Sequence, residues 1–171
     1  MTAIETSIQN IYSILQEVKD PEIPVISVNE LGIIRKVELT TDDNGKLLFE
    51  ITITPTYSGC PAMDAISTNI RMALYAHGIT NFLIKQVLSP AWTTAWMSEE
   101  GKQKLVNYGI AAPNALHEKF SRSIIGDKGP AACPLCSSTN TSIISEFGST
   151  ACKSLYKCNE CLEPFDYFKC H

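Results

Sequence analysis

Cys133-Pro134-Leu135-Cys136 and Cys158-Asn159-Glu160-Cys161 decide how the C-terminal part of this 171-residue chain folds. A Cys-x2-Cys turn offers two sulfurs to one ion from a tight loop, and two such turns complete a closed tetrahedral shell of four thiolates. Zinc favours that shell by ligand softness, and iron can fill the same sulfurs. Residues 137–157 separate the pairs, slightly more than the usual ribbon spacing of roughly 15 to 20. The expectation is a structural zinc held by Cys133, Cys136, Cys158 and Cys161 in a β-rich zinc-ribbon module over 131–171.

Six of the seven cysteines lie at or after position 133. A stretch of about 40 residues seldom folds without a metal, disulfides or a partner, and a metal meets that need. The N-terminus, Met1-Thr2-Ala3-Ile4-Glu5, lacks the basic, apolar and cleavage regions of a signal peptide, which favours a reducing cytoplasm over disulfides. No apolar run reaches the roughly 18 residues that span a bilayer, so no membrane association is expected. Formal net charge is −4, and residues 131–171 set Lys153, Lys157 and Lys169 against Glu146, Glu160, Glu163 and Asp166. Phosphate binding needs clustered Lys or Arg, so protein contact is expected in place of nucleic acid.

Ahead of the ribbon, Ile4, Ile8, Ile11, Leu15 and Val18 recur at helical spacing and predict an amphipathic helix ending near Asp20-Pro21. Residues 33–39 and 47–54 read as strands joined by the turn Asp42-Asp43-Asn44-Gly45. Met63, Ile66, Ile70, Ala73 and Leu74 mark a second helix that opens at Pro61 and stops at Gly78. A strand over 82–88 follows, then a helix from Ser98 to about Asn107. The order helix, strand, strand, helix, strand, helix predicts an α+β domain over 1–112, a small mixed sheet with packed helices. Periodicity fades over 113–130, which reads as a linker. Three short strands are expected in the tail, over 141–147, 152–157 and 165–169.

Outside the tetrad, Cys60 is the strongest candidate for chemistry. It lies between Gly59 and Pro61 at the start of the second helix, where unpaired N–H groups and the helix dipole favour a thiolate. The plainer reading is a small buried core residue. Asp20 and Glu22 flank Pro21 and can face a metal or a basic group, or simply stop the helix as solvated charges. Thr52, Thr54 and Ser58 read as hydroxyls turned to water or to a site. The spacing of Trp92 and Trp96 suggests shared core burial or a partner patch, with core packing favoured, while His77 reads as an ordinary helix C-terminal residue and His117 falls in the linker with no cysteine partner nearby. Cys152, Cys170 and His171 are left over from the tetrad and read as packing or free thiols, with ligation of a second ion as the alternative. A nucleophile triad, a phosphate loop and a dinucleotide fingerprint are absent.

Asp20-Pro21-Glu22-Ile23-Pro24 followed by Ser58-Gly59-Cys60-Pro61 resembles the SufT-like family of small iron–sulfur assembly domains. Pro90-Ala91-Trp92-Thr93, Tyr108-Gly109-Ile110-Ala111 with Pro113, and the tail stretches 147–153 and 163–170 are similar to the phenylacetate-CoA oxygenase subunit family PaaD, also called PaaJ. That resemblance implies an accessory protein for a multicomponent oxygenase that epoxidises phenylacetyl-CoA. It implies assistance in maturing an iron–sulfur or diiron centre, with Cys60 as the labile metal- or cluster-handling thiol and Asp20 and Glu22 as supporting residues. A transient iron–sulfur cluster or iron would be the cargo, and the oxygenase or reductase components the partners. A homo-oligomer is compatible with the same reading. Two competitors stay open: a rubredoxin-like electron-transfer subunit with iron in the tetrad, and a zinc-ribbon nucleic-acid adaptor, which the acidic balance disfavours.

Overall fold

The apolar spacings above become elements in the computed structural model, which describes residues 3–113 and 131–169. In chain order these are α1 (Ala3–Leu15), β1 (Ile34–Thr41), β2 (Leu47–Ile53), α2 (Ala62–Ala76), β3 (Phe82–Gln86) and a 3-10 turn (Thr94–Trp96). Then come α3 (Glu99–Asn107), β4 (Ile110–Ala111), β5 (Thr141–Ser145), β6 (Lys153–Cys158) and β7 (Pro164–Phe168). The α+β class with a β-rich C-terminal module is what the sequence predicts. No helix among the described residues is long and apolar enough to cross a membrane.

Two compact units result, Met1–Ser98 and Glu99–His171. Helix α3 and β4 thus fall with the C-terminal unit and not with the 1–112 domain that periodicity indicates. The physical reason is strand pairing: Ile110 and Ala111 join β7 in parallel, opposite Asp166 and Tyr167. A two-residue strand leaves no periodic signature, so only its distant partner reveals it. Most of the expected linker, residues 114–130, lies outside the described residues.

In the N-terminal unit the strands run in the order β1-β2-β3. β1 and β2 form the expected antiparallel hairpin, closed by the Asp42 carboxylate accepting the Asn44 and Lys46 N–H groups at 2.9 Å each. β3 pairs in parallel with β2, which requires a crossover, and α2 supplies it. Ile11, Ile14 and Leu15 of α1 and Ile66, Ile70 and Leu74 of α2 are buried, as are Ile51 and Ile53 of β2. Burying each such side chain stabilises the fold by about 1.5–3 kcal/mol.

Helix α1 ends at Leu15, earlier than the proline at position 21 requires. Val18 and Asp20 are instead held in extended pairing with the chain ahead of β1: Val28 N–H reaches the Val18 carbonyl and Asp20 N–H the Ile26 carbonyl, both at 3.0 Å. Trp92 is core, as expected, and its indole N–H donates to the Leu31 carbonyl at 3.0 Å. Trp96 has a different setting. The Arg35 guanidinium lies 3.2 Å from its ring centre, and burial lowers the Arg35 pKa despite the opposing influence of Tyr12. Gly32, at φ +75°, presses so closely on Trp96 that a Cβ there would sit 2.5 Å from its carbonyl oxygen.

In the C-terminal unit the sheet order is β4-β7-β6-β5. β6 is antiparallel to both β5 and β7. Its core joins Ala111, Ala131, Tyr156, Phe165 and Tyr167 to Cys133 and Cys158, so the apolar interior runs directly into the cysteine cluster. Tyr156 stacks on Phe165 at 5.9 Å and tilts against Tyr167 at 5.6 Å. Such pairs add about 0.5–1.5 kcal/mol each beyond their buried area.

Candidate metal centre and the Cys60 turn

The two Cys-x2-Cys turns meet. The sulfurs of Cys133, Cys136, Cys158 and Cys161 all lie within 4.8 Å of one another. Cys133 Sγ is 3.7 Å from Cys161 Sγ, and Cys136 Sγ is 3.5 Å from Cys158 Sγ. A tetrahedron with metal–sulfur bonds of about 2.3 Å has edges of about 3.8 Å, so this spacing is that of four ligands around one ion. The donor set therefore fits a tetrathiolate metal site. Cys133 and Cys158 close it from the core side, whereas Cys136 is exposed.

The backbone shapes the thiols' acidity. The Cys161 N–H points at Cys158 Sγ from 3.5 Å and, with the Glu160 N–H, lowers the Cys158 pKa to about 7. The Glu163 N–H favours the Cys161 thiolate, but burial and the neighbouring sulfurs outweigh it and push Cys161 up to about 12. Cys136 is also raised: the Ser138 N–H opposes the shift, and the Cys158 sulfur and burial prevail. Like charges so close resist ionising together, and a cation at their centre removes that resistance.

The leftover residues separate. Cys152 is buried, with Thr150 Oγ1 3.1 Å from its sulfur, and does not belong to the cluster. Cys170, His171 and His117 lie outside the described residues. His77 closes α2 and meets Glu17 at 3.2 Å.

Cys60 sits just outside the start of α2. Its N–H closes a tight turn onto the Tyr57 carbonyl at 3.2 Å, and Gly59 between them takes φ +82°. Pro61 is the N-cap and Ala62 the first helical residue, so the proline stands one position earlier than expected. Cys60 is partly exposed and not a core residue.

Asp20 is buried, with only 7 % of its surface exposed. Its Oδ1 accepts the Glu22 and Ile23 N–H groups at 2.8 and 2.9 Å, which holds the Pro21 loop in shape. A cleft of about 450 Å³ brings Asp20 and Pro21 against Asn69, Met72 and Ala73 of α2. Cys60 does not line it. Asn69 lies roughly 10 Å along the axis from Ala62 at 1.5 Å per residue, so the acidic loop meets the middle of the helix rather than its start. Glu22 is half-buried and does not line the cleft.

One buried polar group departs from its sequence reading and another escapes it. Thr54 is 1 % exposed, and its hydroxyl has no hydrogen-bond partner among the described residues, so it does not turn to water. Glu30 is buried and trades bonds with Ser27, accepting the Ser27 N–H at 2.8 Å while its own N–H reaches Ser27 Oγ at 3.1 Å. The Ser-x-x-Glu spacing of a capping box at 27–30 is the signal for that pair.

Comparison with known proteins covers both units. The chain is 42 % identical over 171 residues to a putative 1,2-phenylacetyl-CoA epoxidase subunit of Escherichia coli, spanning 99 % of this chain and 96 % of that one. The chain belongs to the PaaD family. Residues 118–169 match the "PaaD zinc beta ribbon domain", and residues 8–78 match the family "iron-sulfur cluster assembly protein". An "Fe-S protein maturation auxiliary factor" of Porphyromonas gingivalis is 35 % identical over 57 % of this chain and 89 % of its own. The crystal structure of a DUF59 domain from Bacillus anthracis, 28 % identical, covers 60 % of this chain and 94 % of that one with a TM-score of 0.52.

Proposed function

We propose that this chain is a non-catalytic accessory component of a phenylacetyl-CoA epoxidase system that helps load an iron–sulfur or diiron centre onto another component. The observation that carries the proposal is the contrast between its thiols, on a chain related over its full length to an epoxidase subunit: a closed tetrad at one site, a single partly exposed Cys60 at the other. A tetrad holding zinc keeps its ion, because releasing it means breaking four metal–sulfur bonds in a shell continuous with an apolar core. A lone thiolate contributes one bond and can exchange it.

In this reading Cys60 handles the cargo. Ligand exchange at iron needs no electron transfer: the bond to Cys60 sulfur forms as the donor's ligand leaves and breaks as the acceptor's ligand arrives. The Gly59 turn presents the sulfur, and the first-turn N–H groups of α2 lie just beyond it. Asp20 supports at a distance by shaping the Pro21 loop, with Glu22 beside it. The zinc of the tetrad has a structural task.

Reconstitution tests this. A Cys60→Ala variant is expected to keep its bound zinc while the epoxidase components assembled with it gain less iron and less activity than with the unaltered chain. Iron loading and activity equal to the unaltered chain's would refute the Cys60 role. The sulfur spacing also accommodates a single iron, so a rubredoxin-like electron carrier is the second reading. Purified protein with one zinc and no visible absorption removes it, and a red protein with one iron establishes it.

A further inference from the structure

The four sulfurs of the tetrad surround one centre, but their residues differ in access. Cys133 and Cys158 are buried, at 1 % and 0 % exposure, and Cys161 is partly buried, whereas Cys136 is exposed. Four bonds in a closed shell make ligand exchange slow, so an ion held there is lost readily only when the ligands themselves are changed. Oxidation does that, and it selects sulfurs by thiolate character and access. Every cysteine bound to zinc is a thiolate, so exposure singles out Cys136.

The product depends on which sulfur stands beside it. Cys136 Sγ lies 3.5 Å from Cys158 Sγ in the other turn, and Cys133 Sγ lies 3.7 Å from Cys161 Sγ, again across the turns. A disulfide bond is about 2.05 Å long, so roughly 1.5 Å of movement closes the pair of Cys136 and Cys158.

The turns also hold each other by bonds that need no ion. The Asn159 N–H donates to the Asn140 carbonyl at 2.9 Å, Asn159 Nδ2 to Asn140 Oδ1 at 3.0 Å, and Asn140 Nδ2 to Glu160 Oε1 at 2.8 Å. Asn140 is itself tied to the first turn: its N–H reaches Ser138 Oγ at 3.1 Å, and the Cys133 N–H reaches the Ser138 carbonyl at 2.9 Å. Loss of an ion would therefore leave Cys136 facing Cys158.

We propose that Cys136 is an oxidation site and that, with Cys158 as its resolving partner, it makes zinc retention sensitive to hydrogen peroxide. The Cys136 thiolate attacks one peroxide oxygen, the O–O bond breaks and hydroxide leaves, which gives a sulfenic acid at Cys136. The Cys158 thiolate then attacks that sulfur, the S–S bond forms and a second hydroxide leaves. Two thiolates lose two electrons in all, and one peroxide gains them. With two of its four ligands gone, the site releases its zinc. The cross-link keeps the turns together, so reduction by a thiol restores a site that can be reloaded. The tetrad thus resists ligand exchange and yields to oxidation, a property independent of the role of Cys60.

The test uses the full chain loaded with zinc and treated with one to ten equivalents of hydrogen peroxide. A chromogenic chelator follows zinc release, and mass spectrometry without reduction maps the linkages. One zinc should leave per disulfide formed in the tetrad, the first link should join Cys136 to Cys158, and dithiothreitol with added zinc should restore full metal content. A first link between Cys133 and Cys136 overturns the pairing, and zinc that stays bound through ten equivalents overturns the switch. Cys136→His keeps a zinc ligand while removing the exposed sulfur. Peroxide should release zinc from it at least tenfold more slowly, and release at the unaltered rate overturns Cys136 as the site of attack. The linkage in the unaltered chain decides the pairing whatever that variant's affinity for zinc. Cys60→Ala removes a competing thiol and should release zinc at least as fast as the unaltered chain; release that requires Cys60 overturns the assignment.

Discussion

The C-terminal unit gathers its cysteines and the N-terminal unit isolates its own. Around Cys133, Cys136, Cys158 and Cys161 the sulfurs stand at the spacing of a filled coordination shell, and two of them belong to the unit's apolar core. Around Cys60 there is a glycine turn, a proline cap and partial exposure. On the function proposed above, the same side chain meets two opposite demands. Permanence needs several bonds to one ion and a dry surround. Exchange needs one bond and access. The contrast lets the two sites be broken separately.

The largest expected effect is on the tetrad. Cys158→Ser should leave the protein without its bound metal and abolish the folding transition of the C-terminal unit, while the N-terminal unit keeps its own; metal analysis with two-dimensional NMR reads both. Chelation should do the same, more readily at lower pH because protons compete with the ion for the thiolates. Simultaneous collapse of both units would erase the separation between them. Next comes Phe165→Ala in the core beside the cluster. Phe165 is 5 % exposed, and its removal should cost about 3–5 kcal/mol in chemical denaturation.

Asp20→Ala follows. It strands the Glu22 and Ile23 N–H groups, so a loss of about 2 kcal/mol is expected in the N-terminal unit alone, with metal content unchanged. Gly59→Ala meets open space but must adopt φ +82°, which costs about 1 kcal/mol in thermal or chemical unfolding. The smallest stability effect belongs to Cys60→Ala. Unfolding should hardly move, because the side chain is partly exposed and outside every element, while delivery of iron to the partner fails. A Cys60→Ala variant destabilised as strongly as Phe165→Ala would make Cys60 a packing residue and dissolve the contrast.

Much of this was legible in local pattern. Ile66, Ile70 and Leu74 repeat at helical spacing and lie buried on α2, and Asp42 to Gly45 forms the expected hairpin turn. The tetrad was legible because a metal site demands ligand types at set spacings, and no other folding rule asks for that pattern. Other features were not. Ile110 and Ala111 carry no periodicity, yet their pairing with β7 moves a helix and a strand from one unit to the other. Asp20 beside a proline reads more readily as a helix stop with a solvated charge than as a ligand, and only its bonds to Glu22 and Ile23 make it a buried loop organiser. Thr54 alternates like a solvent-facing residue but lies where the chain leaves the sheet and is buried.

By itself, then, the sequence determined the helices and long strands, the four cysteines that cluster and the exceptional place of Cys60 between glycine and proline. These rest on interactions within a turn or two of the chain, or on ligand chemistry, and both are written in spacing. Tertiary structure alone decided where one unit ends, that β3 runs parallel to β2, that Asp20 meets the middle of α2, and that Cys136 stands exposed while Cys133 and Cys158 are buried. Those depend on which distant segments lie side by side, and the energy that selects such pairings is shared across partners no local window contains.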